Sequence, residues 1–326
     1  MPLLLNESDV RQLLSPADLI DTMEQALSAF SSGNVTQPLR TALQVPPQRN
    51  FFGVMPAYLY SPASLGIKLV TVFNGNAARG LPTHLATILL FDAETGALDV
   101  IMDGRYITEM RTAAVSAVAA KRLARTEAAA LAVLGSGVQA RSHAELLTRV
   151  CNFREIRAWS PTRNHLDRFV SDAAALAPVP VHAAVSAEQA VQGADVIALV
   201  TSSATPVLED AWISPGAFVI SVGACRPDTR EMDPALVARA RVIVDSRAAA
   251  LIESGDIVQG IREARWTANH LAGELGEVIL GRVPGRIAPD EIVVFKSLGQ
   301  AVEDLATAQL VFTRAKEQGM GREITV

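Results

Sequence analysis

Apolar residues change rhythm several times along this chain. Up to about residue 108 the pattern reads as short helices followed by strands, with candidate strands at 65–72, 85–91 and 97–103. Between the last two, Asp92-Ala93-Glu94-Thr95-Gly96 is short, polar and closed by glycine, which reads as a hairpin turn. The front of the chain is therefore expected to be α+β with an antiparallel sheet. From Thr112 an alanine-rich helix runs to about Ala124. After it, strand-sized apolar runs at 130–134, 155–159, 179–183, 196–201, 218–222 and 242–244 alternate with helical segments at 138–150, 163–176 and 187–192. Strands apolar on both faces and separated by helices mean a parallel sheet covered on both sides. Right-handed crossovers then make it a doubly wound, Rossmann-type α/β domain. The last stretch, 297–316, places Leu298, Ala301, Val302, Leu305 and Ala308 at helical spacing, with Ser297 as the expected N-cap. On topological grounds it runs back to the first domain.

Composition narrows this picture without redirecting it. The 326 residues suit two domains at ~150 residues each. Apolar residues make up 49% and charged residues 19%, an ordinary globular balance. A formal charge of −5 gives no pull toward nucleic acid or an anionic membrane. The apolar start Leu3-Leu4-Leu5 is short and lacks a basic flank, which argues against a signal peptide, and no apolar run is long enough for a bilayer. Cys151 and Cys225 form no CxxC pair, so a disulfide framework is not expected and a reducing cytoplasm is.

The chemistry concentrates at a few places. Leu131-Ala132-Val133-Leu134 runs into Gly135-Ser136-Gly137-Val138-Gln139-Ala140 and then a helix, the strand–turn–helix context that a GxGxxA dinucleotide fingerprint requires. Gly135 permits the tight turn, Gly137 lets backbone approach a pyrophosphate, and Ala140 allows close helix–strand packing. The first helical N–H groups then face the phosphates. The usual NAD ribose carboxylate, about 20 residues on, is missing: the second strand ends Trp159-Ser160-Pro161-Thr162-Arg163. Ser160, Thr162 and Arg163 suit a 2′-phosphate, which favours NADP(H) over NAD(H); alternatively Ser160-Pro161 only starts the next helix and Arg163 is solvated. Two later loops, Thr201-Ser202-Ser203-Ala204-Thr205-Pro206 and, after Val222, Gly223-Ala224-Cys225-Arg226-Pro227-Asp228, follow buried strands and are expected to flank a nicotinamide, although as plain connections they would be ordinary.

In the front domain Lys68 interrupts an apolar strand; it is either an edge lysine facing water or a cation facing an anionic substrate. Arg111 precedes Thr112 at an expected helix start, where an arginine beside free N–H groups would suit a carboxylate. Arg40 draws no notice by itself, and His84 after Pro82-Thr83 is a candidate for the cleft. His143 and His165 fall on predicted helices as surface residues, and Glu303-Asp304 reads as a solvated helix face. The five histidines show no HExxH or paired-ligand spacing, so no metal is expected, and Gly-x-Ser-x-Gly is absent.

Several segments, in order, resemble the ornithine cyclodeaminase/mu-crystallin family over nearly the whole length. They are Gly80-Leu81-Pro82-Thr83-His84, Asp103-Gly104-Arg105-Tyr106-Ile107-Thr108, Arg111-Thr112-Ala113-Ala114 and Gly135-Ser136-Gly137. Ala272-Gly273-Glu274-Leu275-Gly276-Glu277 follows, closed by Gly281, and then Phe295-Lys296-Ser297-Leu298-Gly299. The resemblance implies a substrate-binding and dimerisation domain over 1–112 plus 298–326 and a Rossmann domain over 113–297, in a cytoplasmic homodimer. It implies that Arg40, Lys68 and Arg111 clamp a substrate carboxylate as the catalytic group, with His84 and Cys225 at the substrate, and it adds Lys296 and Gly299 to the cofactor residues. Ornithine cyclodeaminases carry an aspartate two residues after the glycine matching Gly223; here that position is Cys225. Ketimine-reductase members carry Arg-Pro-Asp next, as at Arg226-Pro227-Asp228. The implied activity is thus NAD(P)H-dependent reduction of small imino carboxylates such as 1-pyrroline-2-carboxylate to the L-amino acid. The alternatives are ornithine cyclodeaminase, or activity like alanine dehydrogenase or iminosuccinate reductase. The non-enzymatic alternative, a mu-crystallin-like binding protein, is opposed by the intact Arg40, Lys68 and Arg111.

Overall fold

Alternating burial along the strands Asn50–Tyr60 and Ala63–Val72 puts one face of each against a core and leaves the other partly open. These two strands pair antiparallel, and His84–Phe91 and Leu98–Asp103 continue the sheet in the same manner. Leu3–Leu5 then adds in parallel, and Arg322–Glu323 closes that edge. On the far side Val35–Thr36 and Thr41–Val45 both pair with Asn50–Tyr60. Pro56 falls between their two registers, a place where a residue without an N–H is tolerated. The computed structural model describes residues 1–46 and 50–325, and this sheet belongs to the first of two units, 1–111 with 299–326; the second is 112–298.

The expected hairpin is present. Asp92 accepts from the backbone N–H groups of Glu94 and Thr95 at 3.2 and 2.7 Å, and Gly96 takes φ +73°. Two helices differ from expectation. The helix expected from Thr112 is Arg105–Leu123, because the Asp103 carboxylate caps the N–H groups of Arg105 and Tyr106 at 3.1 and 3.2 Å. Arg111 therefore lies in its second turn, not beside free N–H groups. The last helix is Ala301–Gln318, with Gln300 at its N-cap. Ser297 is not its cap, since Gly299 turns the chain at φ +80° between them. Gln37 ties this helix down: its side-chain oxygen accepts from the Val302 N–H at 2.8 Å and its amide donates to Gln300 at 3.0 Å. Within the first unit the helix lies on the sheet beside Pro16–Ser31.

The second unit is an all-parallel eight-stranded sheet. Its order is Val181–Ala183, Glu155–Trp159, Ala130–Leu134, Val196–Leu199, Phe218–Ser221, Val293–Lys296, Arg241–Val244, Leu271–Glu274. Most of these strands are buried on both faces, as a sheet covered by helices requires. The order reverses between Ala130–Leu134 and Val196–Leu199, which makes that crevice the switch point where ligands bind in open α/β sheets. Leu271–Glu274 and Val293–Lys296 are strands that the apolar pattern did not single out; the latter inserts between Phe218–Ser221 and Arg241–Val244. His143 is fully buried, its ring between the Ser116 hydroxyl and the Gln139 carbonyl at 2.8 Å each, so its expected surface position is corrected. His165 is exposed. Among the described residues no helix is long and apolar enough to cross a membrane.

Candidate active site

The glycine turn of the second unit opens a cavity of about 570 Å³ at the switch point, within the usual size of a ligand site. Gly135, Ser136, Gly137, Val138 and Gln139 form one side. Trp159, Ser160, Pro161, Thr162 and His165 form a second, and Val200 with Thr201, Ser202 and Ser203 a third. Gly135 has φ +123°, and a Cβ there would lie 2.5 Å from the Val200 carbonyl oxygen, so only glycine fits. A Cβ on Gly137 would meet nothing within 4 Å, so its backbone borders open space. No side chain caps the helix Val138–Leu147 at Gly137, which leaves first-turn N–H groups for an anion. A backbone cradle beside an uncapped helix start fits a dinucleotide pyrophosphate. Ala140 is buried behind the turn. The Ser136 hydroxyl donates to Ser160 at 2.9 Å across the turn.

Other expected cofactor residues stand elsewhere. Arg163 is exposed and pairs with Asp167 at 2.9 Å, and it does not line the cavity. Val222 and Gly223 follow the strand Phe218–Ser221, behind the Thr201 loop. Lys296 is fully buried, 3.3 Å from Asp256 and 3.1 Å from the Ser221 hydroxyl. Burial works against its charge, but Asp256, Cys225 and Glu231 outweigh that and raise its pKa. Gly299 packs on Arg111: a Cβ there would lie 2.6 Å from the guanidinium. Lys296 and Gly299 thus lie in the interior of their units and are not among the residues that line the cavity. Cys225 is half-buried, its thiol 3.1 Å from the Val222 carbonyl to which it donates.

The first unit gathers its charges around one carboxylate. Lys68 is buried on Ala63–Val72 and meets Asp304 at 2.5 Å. Arg111 donates to Asp304 through Nε at 3.0 Å and to Glu303 through Nη1 at 2.8 Å. Arg40 donates to the Gly299 carbonyl at 3.0 Å and is near enough to Lys68 to disfavour its charge. So the structure does bring Arg40, Lys68 and Arg111 together, but around partners that the sequence reading placed in solvent. Glu303 and Asp304 are buried, which corrects the expectation of a solvated helix face. Asp304 stands in helical register with Ala308, Val311 and Ala315 on the buried stripe of its helix; that spacing was the available signal.

The electrostatics follow from burial. Desolvation lowers the Lys68 pKa to about 8, although Asp304 opposes it. Burial alone would raise the Asp304 pKa, yet Arg111 and Lys68 bring it below the ordinary value. His84, first in the strand His84–Phe91, is lowered to about 4 by desolvation and then by Lys68 and Arg111, so its imidazole is neutral at pH 7. Within the buried group Lys68 and Arg111 face Glu303 and Asp304, and Arg40, half-buried, stands beside them.

A model of the ornithine cyclodeaminase/mu-crystallin family matches residues 1–319. The chain belongs to that family. The ketimine reductase mu-crystallin of Mus musculus is 44% identical over 315 residues, which is 95% of this chain and 96% of that protein. The structure of Thermococcus litoralis Delta(1)-pyrroline-2-carboxylate reductase, in complex with NADH and L-proline, superposes with a TM-score of 0.97 at 35% identity, covering 99% of this chain and all of that one. An archaeal alanine dehydrogenase dimer with bound NAD reaches 0.94 at 30% identity, with 99% of each chain covered.

Asp304 carries two buried cations, and removing one partner of a buried pair typically costs on the order of 3–5 kcal/mol. Asp304→Asn should lower unfolding stability in urea by that order. An unchanged midpoint would show that Lys68 and Arg111 are compensated elsewhere.

Proposed function

We propose that this family member is an NAD(P)H-dependent reductase of small ketimine carboxylates such as 1-pyrroline-2-carboxylate, yielding the L-amino acid. The observation that carries this is the meeting of Lys68 and Arg111 at Asp304, with Arg40 beside them, in a chain that also has a dinucleotide cradle. A group of cations, two of them buried, suits an anionic group on a small substrate, and a carboxylate matches a guanidinium in two-point geometry. The relatives that reduce C=N bonds point the same way.

Gly135, Gly137 and the first turn after it would hold the pyrophosphate of either dinucleotide. Ser160 and Thr162, with no carboxylate at the strand end, are compatible with a 2′-phosphate and favour NADP(H). When bound, the cofactor supplies a hydride to the imine carbon. Arg40, Lys68 and Arg111 bind and orient the substrate carboxylate. The reduced nitrogen needs one proton, and Lys68, with a pKa near 8, is suited to give it and to recover it from water. His84, neutral beside these cations, offers a hydrogen bond without adding charge. In this reading the enzyme works in the cytoplasm, since a chain with two cysteines far apart in sequence suits a reducing compartment.

Purified protein with NADPH or NADH should reduce 1-pyrroline-2-carboxylate or 1-piperideine-2-carboxylate. Release of ammonia and proline from ornithine and NAD, without imine reduction, would replace this reading by cyclodeamination. Each charge-assisted contact is worth about 1.5–3 kcal/mol, so Arg111→Ala should depress kcat/KM for the imine at least about tenfold, with nucleotide affinity little changed. An unaltered kcat/KM ends the clamp assignment.

Because the protonated lysine is the active form, kcat/KM should fall as pH rises through about 8. A profile flat to pH 10 would remove Lys68 as the donor.

The first unit supplies the dimer surface in this reading: the strand Thr41–Val45 is exposed along most of its length, Leu43 at 64%. Sedimentation should give a homodimer, and a monomer at micromolar concentration would withdraw that part.

A further inference from the structure

Two loops meet at the carboxyl end of the parallel sheet. One follows Val196–Leu199 and carries Thr201, Ser202 and Ser203 into the cavity wall. The other follows Phe218–Ser221 and carries Gly223, Ala224 and Cys225. Glu231 is fully buried beneath both. Its Oε1 accepts from the Thr201 N–H at 2.9 Å and from the Thr201 hydroxyl at 2.6 Å. Its Oε2 accepts from the N–H groups of Gly223 and Ala224 at 2.6 and 3.0 Å. One carboxylate thus closes four donors from two loops, and the Thr201 hydroxyl in turn accepts from the Ser203 N–H at 3.0 Å.

The approach is as close as backbone allows. A Cβ on Gly223 would lie 2.0 Å from the Thr201 carbonyl oxygen and 2.5 Å from Glu231 Oε1. Glu231 is itself anchored, because Asp256 accepts from the N–H groups of Glu231 and Met232 at 2.9 and 3.1 Å. The other Asp256 oxygen faces Lys296 and the Ser221 hydroxyl, each at 3.3 Å. A buried polar network with its donors matched is rigid and specifies one arrangement. Glu231 does not line the cavity. In open α/β sheets, loops beyond the carboxyl ends of the strands hold the ligand.

We propose that Glu231 is a positioning residue for the nicotinamide half of the cofactor: it fixes the 201–203 and 223–225 loops without touching the ligand. This rests on reading the cavity as the dinucleotide site. The adenosine half belongs to the Gly135–Thr162 side, which Glu231 does not contact. Lys296 and Asp256 form the foundation of this brace.

In Glu231→Gln the amide nitrogen takes one oxygen position and faces at least one backbone N–H that the carboxylate accepted from, so one loop is loosened. The dissociation constants of NADH and NADPH, read by nucleotide fluorescence, should rise about tenfold and kcat should fall. Adenosine monophosphate, which occupies only the adenosine half, should bind as it does to wild type. Thr201→Val removes one of the four donors without changing side-chain size; it should shift the dinucleotide constants the same way by a smaller factor, and it decides the matter if Glu231→Gln does not fold. Dinucleotide binding unchanged in the variants, or a proportional loss of adenosine monophosphate, would overturn the role of Glu231. Wild type that binds neither dinucleotide nor adenosine monophosphate would instead overturn the reading of the cavity.

Discussion

An ammonium or guanidinium withdrawn from water must be compensated within a few ångströms, and this requirement shapes both units. In the first, Lys68 and Arg111 are buried because Asp304 and Glu303 are buried with them. In the second, Lys296 is buried because Asp256 is. The carboxylates have further duties. Asp304 sits in the first turn of the last helix, so the element that covers the first sheet also delivers the counter-ion. Asp256 holds the backbone of Glu231, which holds two loops. Charges that cost free energy to bury are thereby placed where they order backbone.

The second constraint is close backbone approach at the carboxyl edge of the parallel sheet. Gly135 rests on the Val200 carbonyl and Gly223 on the Thr201 carbonyl, so three successive strand ends are drawn together at residues that have no Cβ. The cavity lies where they converge, and its polar character comes mostly from backbone and hydroxyl groups. Such a wall suits a ligand carrying phosphates, since helix N–H groups and short hydroxyls can meet oxygen without first losing a salt bridge.

Much of this was legible in the residues. The strand at 130–134, the glycine turn and the helix after it follow from local rules, because turn geometry and period are decided within a few positions. The same holds for Glu155–Trp159 and for the hairpin at Asp92. Where the structure differs, an adjacent cap or turn decides two cases and a distant partner the third. The helix at Arg105 starts early because Asp103 caps it, so Arg111 lies in the second turn, away from free N–H groups, and meets buried carboxylates there. Ser297 looked like a cap, but Gly299 turns the chain before the helix begins. Glu303-Asp304 reads as a solvated helix face because acidic side chains are rarely buried unless paired, and their partners Lys68 and Arg111 lie far back in the chain.

The order of residues by itself determined two kinds of sheet, the dinucleotide turn and Lys68 as a cation within an apolar strand, since each depends on backbone preferences and side-chain periods that act over short distances; Arg40 draws notice only through the family resemblance. Only the tertiary structure decided which charges meet. Arg111 and Asp304 are separated by 193 residues and Glu231 reaches back 30 residues to Thr201; no local pattern records such a partner, because electrostatic compensation depends on distance in space and on the removal of water, and both exist only after the chain has folded.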